Sequence, residues 1–178
     1  GGNPWGYAFG DWGEPFIKSN GSGVSELLPG LVSTEHIEGG YYRRTFCSLY
    51  KIGHGNDQGI ASSIYYLLSH DSPIGHFHQN KSDILHFHHG MGVIRYHLID
   101  SQGDYSFIDM GSDLGSGQQL QLLVAGGAWK ASELISGPCG LISEVVIPEF
   151  KFEDMQLANG SQWDLWKQKY PHLKYLIK

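Results

Sequence analysis

From residue 41 to residue 147 the chain repeats one pattern: a short run rich in Ile, Val, Tyr, Phe and Thr, then a polar break. The runs are "YYRRTFCSLYKI" (41–52), "ASSIYYLLS" (61–69), "ILHFHH" (84–89), "VIRYHLID" (93–100), "YSFIDM" (105–110), "QLQLLVA" (119–125) and "GLISEVVI" (140–147). Each is bounded by Gly, Asp, Asn, Pro or Ser, residues that turn a chain. Short segments of this kind at close spacing predict an all-β sandwich or barrel. "SQGD" (101–104) reads as a hairpin turn, with Gly103 free to adopt positive φ. Helical signals occur only towards the ends. "SELLPG" (25–30) reads as the end of a short helix stopped by Pro29 and Gly30. "SQWDLWKQKYPHLKYLIK" (161–178) reads as a short helix capped by Ser161 and broken before Pro171. Its Trp163, Trp166 and Tyr170 recur at helical spacing, which is the mark of a packing face.

Length and composition narrow the class. The 178 residues suit one domain with a sizeable core. The expected organisation is a Gly/aromatic arm over 1–24, a body over 25–158, and a helical tail over 159–178 that packs on the barrel or on a partner subunit. Hydrophobic residues make up 40% and charged ones 17%, so the chain is globular and not disordered. The net charge is −6 and the basic residues are scattered, so there is no footprint for nucleic acid and no attraction to an anionic membrane. No apolar run is long enough to span a bilayer. The opening "GGNPWGYAFGDWGEPF" lacks the basic and apolar regions of a signal peptide, and a cytoplasmic location is expected. Cys47 and Cys139 are too few for a disulfide scaffold and are expected to be buried free thiols.

Chemistry concentrates in "SPIGHFHQNKSDILHFHHGMG" (72–92), which holds His76, His78, His86, His88 and His89. In a strand, residues two apart share a face, so His76 and His78 point one way and Phe77 the other. Residues 79–82 read as a hairpin turn, with the returning strand starting near Asp83. Two imidazoles and a carboxylate suit iron, manganese, zinc or nickel. Register leaves two answers open. A two-residue loop puts His78 and Asp83 on one face; a three-residue loop gathers His76, His78, His86 and His88 and expels Asp83. A bulge would mix the two. Without a metal, His78 is the candidate general base, oriented by Asp83, with Tyr65 or Tyr41 as proton donor to the opposite face of a sugar carbon. Arg43 and Arg44 alternate, so one of them enters the barrel, to hold an anionic group or to pair with Glu38 or Glu144. Trp129 reads equally as a stacking platform and as a core plug.

The histidine segment resembles the first cupin motif. His76 and His78 supply its H-x-H, Asp83 stands at its Glu position, and Gly90 closes it, while the leading glycine is replaced by His70. A closer resemblance, from Leu27 to Ala158, is to the cupin family catalogued as DUF985, or cupin 5. "HIEGGYYRRT" (36–45) is similar to that family's H-P-E-G-G-Y-Y-R-E-T, and "SIYYLL" (63–68) to its S-x-I-Y-Y-L-L strand. "FHQNKS" (77–82) with "ILH" (84–86), "VAGGAWKA" (124–131) and "FKFEDMQLA" (150–158) are similar to its later motifs. The resemblance implies an all-β double-stranded β-helix, that is, a cupin jelly-roll barrel with a pocket at one mouth, assembled as a homodimer. It implies kinship with sugar-nucleotide epimerases, isomerases and dioxygenases, and a sugar-like or anionic small-molecule ligand. One departure matters. The second cupin motif carries a third histidine ligand, and here Lys130 takes that place. An ammonium is a poor ligand and repels a cation, so a divalent metal on His76, His78 and Asp83 is not favoured. Lys130 reads instead as a holder of a substrate carboxylate or phosphate, or as an outward lysine beside Trp129. Arg43, His76, His86, Trp129, Lys130 and Glu144 are thus the expected pocket residues around His78, Asp83 and Tyr65. Three functions follow: a sugar or sugar-phosphate isomerase or epimerase, a metal-dependent cupin enzyme, or a non-catalytic binding module.

Overall fold

Two antiparallel sheets lie face to face and enclose the core. The computed structural model describes residues 32, 34–53 and 57–178, and the backbone of two short strands, β1 (Tyr7–Phe9) and β2 (Pro15–Ile17), which pair with each other. The predicted helix end at 25–30 and the rest of the N-terminal arm lie outside the described residues. The remaining strands are β3 (Thr34–Glu35), β4 (Tyr41–Cys47), β5 (Ser62–Ser69), β6 (Ile74–Asn80), β7 (Asp83–His88) and β8 (Val93–Ile99). They continue with β9 (Tyr105–Met110), β10 (Gln121–Val124), β11 (Trp129–Ser136), β12 (Cys139–Ile147) and β13 (Met155–Leu157). One sheet has the order β10-β7-β12-β5-β4-β3 and the other β13-β6-β11-β8-β9. This is the expected all-β cupin sandwich. The predicted runs form strands whose ends shift by a few residues. Strand β11 was not anticipated, because Lys130, Ala131, Ser132 and Glu133 are poor strand formers that packing overrules.

The outer face of the five-stranded sheet is covered by the C-terminal tail. Helix α1 (Gly160–Trp166) is capped by Asn159, whose side-chain oxygen accepts from the Ser161 and Gln162 N–H groups, so the cap lies two residues before the expected Ser161. A 3-10 turn follows at Pro171–Leu176. Trp166 packs against Phe77 and Trp129, with ring centroids 5.5 and 5.4 Å apart. Leu173 and Leu176 complete this cluster. Each such side chain contributes roughly 1.5–3 kcal/mol on burial. The Trp stripe is therefore a packing face. Between the sheets, Tyr66, Leu68, Ile94, Tyr96, Met110 and Ile142 fill one half of the barrel. The other half is open.

Two features of β6 decide the site. First, β6 and β7 belong to different sheets, so residues 79–82 cross from one sheet to the other and form no hairpin. Neither of the two registers read from the sequence applies. Second, β6 carries a bulge. His78 pairs with Lys130 and Gly75 with Ser132, so His76 and Phe77 together oppose Ala131. Gly75 points inward, where a Cβ would overlap the Tyr66 and Ser132 side chains, and His78 also points inward. The i, i+2 rule thus fails here, and His76 does not share the His78 face.

Candidate functional site

The open half of the barrel holds a cavity of about 170 Å³. Ile64, Ile84, Val146 and Met155 form its apolar wall, and Tyr42, Phe150 and Phe152 its aromatic rim. Its polar groups are His36, Glu38, His78, Lys130 and Glu144, with Asn80 and Arg44.

Glu38 enters from the loop before β4. The loop closes through the Gly39 N–H donating to His36 O at 3.0 Å and the His36 N–H donating to Gly40 O at 2.9 Å. Gly39 has a φ of +111° and a side chain there would overlap the Ile74 carbonyl. Only glycine lets the loop press against β6. The Glu38 carbonyl accepts from the His76 N–H at 2.7 Å. Its carboxylate then lies between two imidazoles: His78 Nε2 is 2.9 Å from Oε2, and His36 Nδ1 is 3.4 Å from the same oxygen. His78 Nδ1 meets the His76 carbonyl at 2.8 Å. Both ring nitrogens of His78 therefore face oxygen acceptors. Burial pushes the Glu38 carboxyl up, but the His78 charge, the close His78 imidazole and the nearby His36 outweigh it and hold it well below the usual range. Burial lowers His36, and the adjacent Glu38 carboxylate together with the Glu144 charge outweighs this, so His36 is raised. Tyr42 and Phe152 flank the His36 ring, with centroids 4.9 and 6.3 Å away.

Lys130 reaches from β11 across the barrel to the opposite sheet. Its Nζ donates to His86 Nε2 at 2.8 Å and to Glu144 Oε1 at 3.3 Å. His86 Nδ1 lies 3.1 Å from the Leu122 carbonyl, which fixes the proton on Nδ1 and leaves Nε2 to accept. Burial first, and the Lys130 charge second, push His86 down. Glu144 is pushed down to about 2, because the Lys130 charge and His86 outweigh its own burial. The Tyr96 hydroxyl, fully buried beside His86, has no hydrogen-bond partner among the described residues.

The expected residues are placed as follows. His78, Lys130 and Glu144 line the cavity, and His86 lies behind Lys130. Asp83 is separated from His78: it is exposed and accepts from the Gly126 N–H at 2.8 Å, a loop-fixing contact. His76 is turned away by the bulge, and burial lowers its pKa. Tyr65 is outside the barrel, edge-on to His89 at 6.0 Å. Arg43 pairs in register with Tyr65 on that outer face, and Arg44 is the arginine at the cavity, 3.7 Å from Glu149. Trp129 packs outward under the tail and is no stacking platform for a ligand in the cavity. Cys47, expected to be buried, is exposed and donates to Glu149 Oε1 at 2.7 Å; Cys139 is buried, and both are free thiols. Sequence reasoning missed His36 and named Glu38 only as an ion-pair partner. The signal was present in "HIEGGYY" (36–42), a histidine and a carboxylate two apart just before a diglycine turn.

The fold implies a metal on the first-motif residues, and the residues present do not fit one. His76 and Asp83 point elsewhere, both His78 nitrogens are engaged, and the Lys130 ammonium occupies the place of the third histidine. Among the described residues no three His, Cys, Asp or Glu side chains converge on one point as a metal site requires.

Residues 27–158 match the family described as "Cupin superfamily (DUF985)". An uncharacterized protein of Saccharomyces cerevisiae, YML079W, is 36% identical over 156 residues, covering 78% of this chain and 77% of its own. Among solved structures, protein SO0799 from Shewanella oneidensis superposes with a TM-score of 0.80 at 24% identity, covering 88% of this chain and 98% of its own. A hypothetical protein from Leishmania major gives 0.77 at 24% identity, covering 88% of this chain and 99% of its own.

Proposed function

The chain belongs to the DUF985 family of the cupin superfamily, and from that premise we propose that it binds a small carbonyl compound in the barrel and shifts a proton on it, as an isomerase or epimerase. The observation that carries this reading is Glu38, a buried carboxylate held between His78 and His36 on the wall of the cavity that also presents Lys130. In this scheme His36, the imidazole beside Glu38 on the cavity wall, takes the proton from the carbon beside the carbonyl. Glu38 stabilises the imidazolium that forms, and His78 holds Glu38 in place. The electron pair moves onto the carbonyl oxygen, which develops its charge against the Lys130 ammonium. Where the carbon that lost its proton carries a hydroxyl, that O–H proton passes to the former carbonyl oxygen. His36 returns its proton to the former carbonyl carbon, so carbonyl and hydroxyl change places. Where water instead supplies a proton to the original carbon from the opposite face, His36 gives its own to water and that centre is inverted. His78 is thus an anchor of the carboxylate in place of the base it was expected to be. Sugars and sugar phosphates, the class suggested by the family resemblance, are carbonyl compounds with such acidic C–H bonds.

A second reading is a binder without turnover. It draws on the His78 and His86 Nδ1 atoms, both committed to backbone carbonyls. One experiment separates the two. The protein is incubated in D2O with ketoses, aldoses and simple hydroxyketones, and loss of the C–H proton signal is followed by NMR. Protein-dependent exchange that disappears in Glu38→Gln supports the proton shift. A ligand that binds in the cavity and exchanges no proton across neutral pH leaves the binder.

A further inference from the structure

The cavity's size, its largely apolar lining and its internal charge balance together restrict what it accepts. Its volume is about 170 Å³. A protein cavity that takes benzene measures roughly 150 Å³. Pockets for drug-sized ligands start at roughly 300 Å³. One ring, or a chain of similar bulk, therefore fills the site. A nucleotide sugar does not fit.

The lining is largely apolar. Ile64, Ile84, Val146, Met155 and the two phenylalanines present most of the surface, and the polar groups among them are few: Glu38, His78, Lys130 and Glu144, with Asn80 and Arg44. A hexose carries hydroxyl groups around its whole ring. Those turned towards Ile64, Ile84 and Val146 lose their water and gain no partner. Each such hydroxyl weakens binding by roughly tenfold or more.

Charge is already balanced inside the site. Lys130 is paired with Glu144 at 3.3 Å, and Glu38 with His78 at 2.9 Å. At the mouth, Arg44 faces Glu149 at 3.7 Å. A ligand carboxylate or phosphate among these groups would meet Glu38 and Glu144, whose facing cations are already engaged. Lys130 has three N–H donors, of which His86 and Glu144 take two, so one remains for a neutral oxygen.

From these three observations we infer that the ligand of this cavity is an uncharged ketone or aldehyde of about single-ring size, with its oxygen on Lys130 and an apolar flank against Ile64, Ile84 and Val146. This rests on the reading of the cavity as a carbonyl site. It departs from the sugar-like or anionic ligand expected from the sequence.

The test uses the full chain and four probes: 2-hydroxycyclohexanone, cyclohexanol, fructose and fructose 6-phosphate. Binding is measured by calorimetry and by the shift in Tm. The hydroxyketone is expected to bind at least tenfold more tightly than either sugar, and cyclohexanol to lose most of that advantage. Val146→Thr, which adds one hydroxyl to the apolar wall at nearly constant volume, is expected to weaken the hydroxyketone about fivefold. Fructose or fructose 6-phosphate binding as tightly as the hydroxyketone overturns the inference, and so does a hydroxyketone that fails to bind at millimolar concentration. The D2O experiment keeps the two readings apart. Sugars that bind and exchange sink only the ligand class, whereas a bound hydroxyketone that never exchanges sinks only the proton shift.

Discussion

On opposite sides of one sheet the molecule sets histidine against glutamate and uses the contact differently. Inside the barrel, His36 and His78 hold Glu38 on the wall of a cavity. Outside, His97 on β8 meets Glu133 on β11 at 3.3 Å, and Glu133 also accepts from the Tyr175 hydroxyl at 2.7 Å. His97 Nδ1 is 2.9 Å from the Tyr105 hydroxyl. The outer set lies under the C-terminal tail and fastens it. The shifts diverge accordingly. Burial opposes protonation of both His36 and His97, but the enclosed Glu38 outweighs it at His36, which is raised. The Glu133 side chain is 27% exposed and so partly screened. At His97 burial therefore wins, and His97 is lowered. The same two residue types line a cavity where the carboxylate is buried, and make an anchor where it is partly in water beneath the tail.

The sharpest way to break this comparison is to neutralise each carboxylate in turn. Glu38→Gln is expected to lower D2O exchange by about 10²–10⁴-fold, the usual worth of an oriented acid–base group, with the fold retained. Glu133→Gln is expected to leave exchange intact. Equal losses in the two variants would mean that the inner pair has no special role.

Removing the cation that faces Glu144 comes next. Lys130→Met leaves Glu144 buried and unpaired, and the expected cost is about 3–5 kcal/mol by urea denaturation. Adding Glu144→Gln to it should restore most of that loss. If the double variant is no more stable than the single one, the Lys130–Glu144 pair is not what holds the barrel floor.

Titration sharpens the contrast through opposite signs. His36 has a raised folded pKa, so its contribution is fully present below the unfolded value of 6.5 and is lost as pH rises through the folded value. His97 has a lowered folded pKa, so its contribution is present above 6.5 and is lost as pH falls towards the folded value. His36→Gln should therefore destabilise more at pH 6 than at pH 8, and His97→Gln more at pH 8 than at pH 6, as read by urea denaturation at the two pH values. Parallel profiles for the two variants would contradict the assignment. Glu144 acts further down. Its folded pKa of about 2 lies below the ordinary 4.5, so its contribution is present above 4.5 and is lost as pH falls towards 2.

The smallest expected effect tests the outer anchor alone. Tyr175→Phe removes one hydrogen bond to Glu133. Such a bond is worth about 1 kcal/mol. Hydrogen exchange should quicken in residues 171–176 and stay unchanged at Glu38 and His78. Faster exchange at the cavity would show that the tail and the site are coupled.

Much of the barrel was legible along the chain. β-branched and aromatic runs between turn residues marked nearly every strand, and the helical spacing of Trp163, Trp166 and Tyr170 marked a packing face. Those signals are local, and local backbone preference and burial produce them. His78 was found from the histidine cluster, Lys130 from its place in the second cupin motif, and Glu144 as a partner for an interior arginine. In residues 36–45 the tyrosines and arginines drew the chemical reading, Glu38 entered it only as an ion-pair partner, and His36 was passed over.

What the sequence by itself determined is therefore the two-layer β class and the set of residue types able to do acid–base work. What only the tertiary structure decided is which of them meet. A bulge at His76 and Phe77 turned one imidazole out, and a crossover at residues 79–82 sent β6 and β7 to different sheets. With that, Asp83 lost His78, and Glu38 gained it from 40 positions upstream, the separation between residues 38 and 78. Such contacts depend on strand register, which shifts whole faces by one residue and leaves no periodic trace in the chain.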